Sequence, residues 1–350
     1  MRLKYAVSMT EGRGTTDASQ MTLGRHILES QRQHQAARGE LSVLLLQIAF
    51  AGKIFSHALR RAAFAGRLGP TGEENVQGEE TMKLDAFGND VIVEAFARTE
   101  LVSAIVSEEM DEPRQMAGGP NASYILCIDP LDGSSNSDVN GVVATIFGIY
   151  RPSKATPPAG ASDLRSGRDQ VAAGYIMYGP STVLVYTTGH GVDGFTLDHD
   201  VGEFILTHPQ LQCPERGRYY SANVGHLHEW PDAVQSYVSH LTTDRERPHS
   251  LRYSGALVAD LHRCLIDGGV YFYPADRQYA TGKLRLLYEC APLAFIAEQA
   301  GGAATTGTSV VMDVPIEAPH QRVPIAIGSR EEVLAFDRFS AEGRGEELAG

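Results

Sequence analysis

The chain has 350 residues, 43% hydrophobic and 21% charged, as in an ordinary globular protein able to bury one large or two medium cores. Its 30 basic and 43 acidic residues leave a formal net charge of −13, which argues against nonspecific binding to nucleic acid or an anionic membrane. No apolar run reads as long enough to span a bilayer.

Residues 1–20 lack the apolar stretch of a signal peptide and read as a disordered tail. Leu41 to Leu68 carries Leu, Ile and Phe at helical spacing and predicts one long helix. Gly69 to Glu80 has no periodicity and reads as a mobile loop. A helical pattern resumes over Asn89 to Ala97, and Leu101 to Val106 reads as a strand ending at Ser107-Glu108-Glu109. Tyr124 to Ile128 is an apolar strand, and Val142 to Tyr150 is an alternating, β-branched one. Arg151 to Asp169 is a surface loop. Val171–Tyr178, Thr182–Thr187 and Gly194–Asp198 form a meander. Pro209, Pro214 and Gly217 mark a boundary between an N-terminal domain over 21–211 and a C-terminal domain over 212–340, with a tail from 341. Beyond it come a strand into Asn223, helices over Pro231–Leu241 and Gly255–Leu265, a strand over Gly269–Tyr273 and a helix over Pro292–Gln299. Cys127, Cys213, Cys264 and Cys290 form no CxxC pair and read as buried thiols of a reducing, cytoplasmic compartment.

The chemistry concentrates at Asp129-Pro130-Leu131-Asp132-Gly133, which runs into Ser134-Ser135-Asn136. Two carboxylates at the end of a buried strand need a cation beside them. Pro130 stiffens the turn, and the aspartate oxygens with the Leu131 carbonyl can meet one hard cation. Gly133 and Ser134 follow with N–H groups of the kind that cradle phosphate. Glu108 and Glu109 end a second strand; alone they read as a solvated turn, but two acidic strand ends fit a pair of Mg²⁺ ions. Asp85 and Glu289 each stand beside a helix start, where capping or the helix dipole is the structural alternative. Arg252-Tyr253, Tyr271 to Tyr273 and Lys283 to Arg285 offer cations and phenols for a second phosphate, or a solvated face. The histidines carry no HExxH motif, and there is no Walker or Rossmann fingerprint.

KLDAFGND, VSEE, DPLDGSSN, TIFGIY, AAGY, GEFILT, RYSGALVADLHR, GGVYFYP and GKLRLLYECAP occur in the order of class I fructose-1,6-bisphosphatases, and the chain closely resembles that family from about Gly39 to Arg338. The Asp-Pro-Leu-Asp-Gly-Ser core belongs to the wider lithium-sensitive phosphatases; the remainder is specific to the sugar bisphosphatase branch. The resemblance implies an α-β-α-β-α sandwich, a homotetramer and Mg²⁺-dependent removal of the 1-phosphate of fructose 1,6-bisphosphate, with about two or three Mg²⁺ (or Mn²⁺) per subunit. It implies Glu108, Glu109, Asp129, the Leu131 carbonyl, Asp132 and Glu289 as metal ligands. Asp85, Glu109 and Glu79 become catalytic carboxylates. Asp132, Gly133 and Ser134 take the 1-phosphate side, and Asn223, Tyr253, Tyr273, Lys283 and Arg285 the remainder of the substrate. Arg252 would enter a neighbouring subunit's site. His226 replaces the usual Tyr. A sedoheptulose-1,7-bisphosphatase, a bifunctional enzyme and a non-catalytic sugar-phosphate sensor are the alternatives, and pathway direction, gluconeogenesis or the Calvin cycle, is open.

Gly39, Glu40, Ser42, Tyr124 and Arg151 match the family's AMP site, whereas Arg38 stands where Thr is usual and Ser123 where Lys is. A lost Lys–phosphate contact costs about 1–3 kcal/mol, so weakened or altered AMP inhibition is expected. The Arg151–Asp169 loop has no cysteine for the regulatory disulfide of chloroplast relatives.

Overall fold

The computed structural model of the chain describes residues 21–32, 39–74, 80–117, 122–151, 164–243 and 247–347. The readings made for residues 1–20, Arg38 and Glu79 lie outside these. Helices α1 (Leu23–Arg32) and α2 (Glu40–Leu59) precede a hairpin of β1 (Pro70–Glu74) and β2 (Glu80–Met82), then α3 (Lys83–Phe96). Leu44, Leu45, Ile48 and Phe55 recur at helical spacing and turn one face of α2 into the core. The single helix expected over 41–68 stops at Leu59: beyond it only Ala62 is buried, and Arg61 and Ala62 donate to carbonyls three residues back in tight turns. The expected mobile loop holds the strands of β1 and β2, paired from Pro70↔Met82 to Glu74↔Glu80. α2 also corrects the membrane reading, because by length and composition alone it could span a bilayer. More than half of it is buried against the rest of the protein, as in a core helix.

An eight-stranded sheet follows, built from β3 (Val102–Ser107), β4 (Arg114–Gln115), β5 (Tyr124–Asp132), β6 (Val143–Tyr150), β7 (Gln170–Tyr178), β8 (Thr182–Thr187), β9 (Asp193–Asp198) and β10 (Glu203–His208). Their spatial order is β10-β9-β8-β7-β6-β5-β3-β4. The expected meander thus gains a fourth strand, β10, paired to β9 from Glu203↔Asp198. Strands β3 and β5 run parallel, with Ser107 at the end of β3 opposite Ile128 of β5.

The second half supplies β11 (Tyr219–Ser221), α4 (Asp232–Thr243), β12 (Ser250–Leu251), α5 (Leu257–Asp267), β13 (Val270–Tyr273), β14 (Leu284–Arg285), α6 (Ala291–Gln299), β15 (Ala303–Thr305), β16 (Arg322–Val323), β17 (Ile325–Gly328) and α7 (Arg330–Glu347). α7 runs through part of the segment read as a tail. A five-stranded sheet has the order β12-β11-β13-β17-β15. Three of the four buried clusters among the described residues stack the layers. Leu23, Ile48, Phe55 and Phe96 of α1–α3 pack on the outer face of the large sheet with Phe147 and Ile176. Leu261 and Leu265 of α5 and Leu293 and Ile296 of α6 fill the space between the two sheets. Tyr237 of α4 and Phe336 of α7 close the outer face of the small sheet over Phe272. The result is the α-β-α-β-α sandwich.

Candidate active site

β5 does not stop at Ile128; it continues through Asp132 with an irregularity inside the motif. Asp129 pairs with Ile146 and Asp132 with Ala144, so one extra residue is inserted on the β5 side. Pro130 sits in this bulge, where no ladder N–H is needed, and packs against Gly88 of α3. The bulge re-aims both aspartates. Asp129 Oδ1 accepts the Leu131 N–H at 2.9 Å. Asp132 reaches the start of α5, accepting Leu257 N–H at 3.3 Å and Val258 N–H at 2.9 Å. Since Ala256 offers α5 no side-chain cap, Asp132 satisfies those donors from 125 residues away. Gly133 follows with φ 71°, and a Cβ there would lie 2.7 Å from that of Ala256. Ser134 then opens a 3₁₀ turn over Ser134–Val139.

Glu108 lies just past β3, its N–H donating to the Ile128 carbonyl at 3.2 Å, and Glu109 donates its N–H to Ser107 Oγ at 3.3 Å. Arg285, 4% exposed, places Nη2 3.0 Å from Glu108 Oε1 and Nη1 3.9 Å from Glu289 Oε2. Glu289 sits in a wide π turn, Leu286–Cys290, that sequence periodicity did not reveal. Its Oε2 accepts the Arg285 N–H at 2.6 Å. Two links missed from sequence hold this turn. Tyr150 Oη donates to the Leu287 carbonyl at 3.0 Å. His320 Nε2 donates to the Asp111 carbonyl at 3.3 Å, which leaves Nδ1 to accept from Tyr288 Oη at 2.8 Å. His320 thereby joins the acidic turn after β3 to the turn that bears Glu289. Asp85 lies in the first turn of α3, buried, with Oδ2 accepting the Met82 N–H at 2.9 Å, so the structural alternative describes part of what it does.

Burial and mutual repulsion act together on this cluster. Burial, then Glu108, Glu289 and Asp132, push the Asp129 carboxyl well above the usual range. Burial carries Asp132 up to about 7, against its two backbone bonds. Burial carries Glu289 to about 8, against the opposing pull of Arg285. Of these four hard oxygen side chains, Glu108 and Glu289 share Arg285, and further positive charge would relieve the cluster; this donor set fits Mg²⁺ or Mn²⁺. Among the described residues, no three His, Cys, Asp or Glu side chains already form a coordination cluster, their oxygens being engaged by N–H groups and Arg285.

Among the residues the resemblance assigns to the sugar, Tyr253 follows exposed Arg252, and burial with Asp260 and Asp132 raises its phenol. Tyr273 ends β13. Gly282, φ 89°, lets the chain pass within van der Waals reach of Val323 and Pro324 and present Lys283. Asn223 opens a 3₁₀ turn, its carbonyl accepting the His226 N–H at 3.0 Å. His226 Nδ1 lies 3.0 Å from Glu229 Oε2, and His228 Nε2 is 3.6 Å from the same carboxylate.

At the start of α2, Gly39 has φ 83°. Ser123 Oγ donates to Glu40 Oε2 at 2.9 Å, Ser42 Oγ to Gln31 Oε1 at 2.7 Å, and Arg151 Nη2 to Tyr124 Oη at 3.4 Å.

Stacked sheets with an acidic, arginine-bearing cluster at the ends of parallel strands define a layered α/β phosphatase of the sugar-phosphate type. Family models named Fructose-1-6-bisphosphatase, N-terminal domain and C-terminal domain match residues 21–209 and 213–341. The chain belongs to the fructose-1,6-bisphosphatase family. It is 49% identical over 317 residues to a class 1 fructose-1,6-bisphosphatase of Acaryochloris marina, covering 89% of this chain and 96% of that one. It is 48% identical over 324 residues to that of Sorangium cellulosum, covering 91% and 93%. Crystal structures of Leishmania major fructose-1,6-bisphosphatase superpose with TM-score 0.88 in the holo form (38% identity, 92% of this chain, 99% of that one) and 0.84 in the T-state (37% identity, 93% and 99%).

Proposed function

We infer that this chain is a hydrolase that removes the 1-phosphate of fructose 1,6-bisphosphate, giving fructose 6-phosphate and inorganic phosphate. The observation that carries the reading is the family match across both halves of the chain, with the buried Glu108–Asp129–Asp132–Glu289 cluster at the strand ends. Mg²⁺ or Mn²⁺ held by these carboxylates, Glu109 and the Leu131 carbonyl would supply the positive charge that polarises the phosphoryl group. Water attacks phosphorus in line while Glu109, assisted by Asp85, takes its proton, and the bond between phosphorus and the C1 ester oxygen breaks, leaving an alkoxide that takes a proton from solvent. Gly133 and Ser134 N–H groups receive the departing phosphoryl oxygens. Asn223, Tyr253, Tyr273 and Lys283 hold the phosphate that is kept, with Arg252 reaching a neighbouring subunit. Arg285 orients the carboxylates through its ion pairs.

A homotetramer is supported by an exposed apolar stripe on α2, Val43, Leu46, Phe50 and Ile54, continued by Leu28 of α1. Four buried free cysteines fit a reducing, cytoplasmic setting. Weakened AMP inhibition is supported by Ser123, whose hydroxyl is engaged by Glu40 where a Lys would face a phosphate; strong cooperative inhibition by AMP, abolished in Arg151→Ala, would contradict it. The activity is tested by phosphate release from fructose 1,6-bisphosphate and sedoheptulose 1,7-bisphosphate, with Mg²⁺ and with chelator. Turnover of the fructose ester that chelator abolishes is expected; no release from it overturns the reading.

A further inference from the structure

Two turns of the candidate active site meet face to face, although they lie far apart in sequence. One, the 3₁₀ turn Ser134–Val139, follows β5; the other, residues 252–256, is a strap that joins β12 to α5. Asn136 links them. Its Nδ2 donates to the Ser254 carbonyl at 3.2 Å, across 118 residues, and to the Val142 carbonyl ahead of β6 at 3.2 Å. Both partners are carbonyl oxygens, so only the NH₂ end of the carboxamide can serve, and its two hydrogens match the two acceptors. The Asn136 backbone is fixed as well: its N–H donates to the Gly133 carbonyl at 2.8 Å, and its carbonyl accepts the Gly141 N–H at 2.7 Å. On the other side of the strap, the two Asp260 oxygens share the Ser254 N–H at 3.1 and 3.0 Å. Ser254 thus has its carbonyl held by the turn after β5 and its N–H held by α5. Gly255, at φ 80°, passes so close that a Cβ would stand 3.7 Å from Asn136 Oδ1. None of residues 252–255 is buried within this chain, so hydrogen bonds rather than apolar packing fix where the strap lies.

We propose that Asn136 is a positioning residue that sets the distance between the two phosphate subsites. Gly133 and Ser134 begin the turn from which its carboxamide reaches out, and Tyr253 stands next to the residue whose carbonyl it holds. The inference rests on the bisphosphatase reading and deepens it: that reading gives each turn a phosphate, and the Asn136 bond gives the pair a fixed span. A bisphosphate carries both phosphates on one carbon frame, so in-line attack needs the two turns at the separation of that frame. A ligand with a single phosphate makes no such demand. Loss of the Asn136 donors therefore acts on the chemical step of the bisphosphate and leaves the contacts of the retained phosphate in place.

The test uses the full chain with Mg²⁺ and the variant Asn136→Ala; Asn136→Leu, neutral and closer in size, replaces it if the alanine protein fails to fold by thermal melting. For fructose 1,6-bisphosphate, kcat is expected to fall by about tenfold to a hundredfold while KM stays within about threefold. Calorimetric affinity for fructose 6-phosphate, which carries only the retained phosphate, is expected within about threefold of wild type. Hydrogen–deuterium exchange reads the coupling directly. Fructose 6-phosphate should slow exchange severalfold in the peptide 133–141 of the wild type, and that slowing should vanish in the variant. A loss of fructose 6-phosphate affinity as large as the fall in kcat would make Asn136 ordinary support for the strap and overturn the proposal. So would kcat within about twofold of wild type, or slowing that is absent from the wild type or persists in the variant. If the wild type releases phosphate from no bisphosphate, the activity reading fails, and the exchange experiment alone decides whether Asn136 couples the turns.

Discussion

Arg285 and Glu108 form a buried ion pair, Nη2 to Oε1 at 3.0 Å, between β14, of the two-stranded sheet it makes with β16, and the turn after β3. Arg285→Ala would leave Glu108 and Glu289 facing each other with one cation fewer. Breaking a buried pair from one side costs about 3–5 kcal/mol. The expected outcome is a marked fall in melting temperature in chelator that shrinks when millimolar Mg²⁺ is added. A deficit of equal size in both conditions would show that no cation takes over the guanidinium's electrostatic role.

Asp129→Ala removes a proposed metal ligand but also a repulsive charge. Because burial and three neighbouring carboxylates raise the Asp129 pKa, its ionised form works against the fold. Turnover is expected to fall by about a thousandfold or more, while metal-free melting stays level or rises. Full activity would sink the role given to this carboxylate.

The carboxylates also set the pH dependence of the metal-free protein. With Asp132 held near about 7 and Glu289 near about 8, the folded state binds more protons than the unfolded state from about pH 4 to 8. Stability from these groups is therefore full at acid pH and is lost as pH rises through that window. Denaturant midpoints against pH should show this fall, and Mg²⁺ should flatten it. A metal-free midpoint that rises steadily from pH 5 to 8, in a His262→Gln background, contradicts the sign.

His262 acts with the opposite sign. Burial, then His208 and Arg263, lowers its pKa to about 4, and its Nδ1 lies 2.7 Å from Tyr175 Oη between α5 and β7. The unfolded chain takes up this proton near pH 6.5, so stability is present above that pH and lost as pH falls toward about 4. The swing is at most about 3 kcal/mol. His262→Gln should reduce the acid slope measured by urea unfolding between pH 6.5 and 4.

Gly133→Ala places a methyl 2.7 Å from Ala256 Cβ at a φ of 71°. Strain of about 1–3 kcal/mol is expected, together with lost activity, because the same turn sets Asp132 against α5. Unfolding midpoint and phosphate release measured together should drop in one variant.

Much of the protein was legible locally. The β-branched run of Val143–Tyr150 and the apolar run of Tyr124–Ile128 announce strands by length and residue type, and the structure buries both at every position because the sheet is covered on both faces. The hairpin after Gly69 was less legible, since polar, Gly-rich residues carry neither signal. The π turn around Glu289 likewise breaks the helical period that a pattern search follows.

By itself the sequence determined the family, the acidic strand ends and the residue types available to a cation and two phosphates. Only tertiary structure decided how those groups are used. Asp132 caps α5 from 125 residues away, Arg285 neutralises Glu108, His320 ties the Asp111 turn to Tyr288, and Asn136 reaches the Ser254 carbonyl across 118 residues. Residue periodicity records only which face a side chain occupies along its own strand or helix. Which charges meet across the layers depends on the path of the whole chain, and for Asp129-Pro-Leu-Asp132 on a single-residue bulge that re-aims both carboxylates.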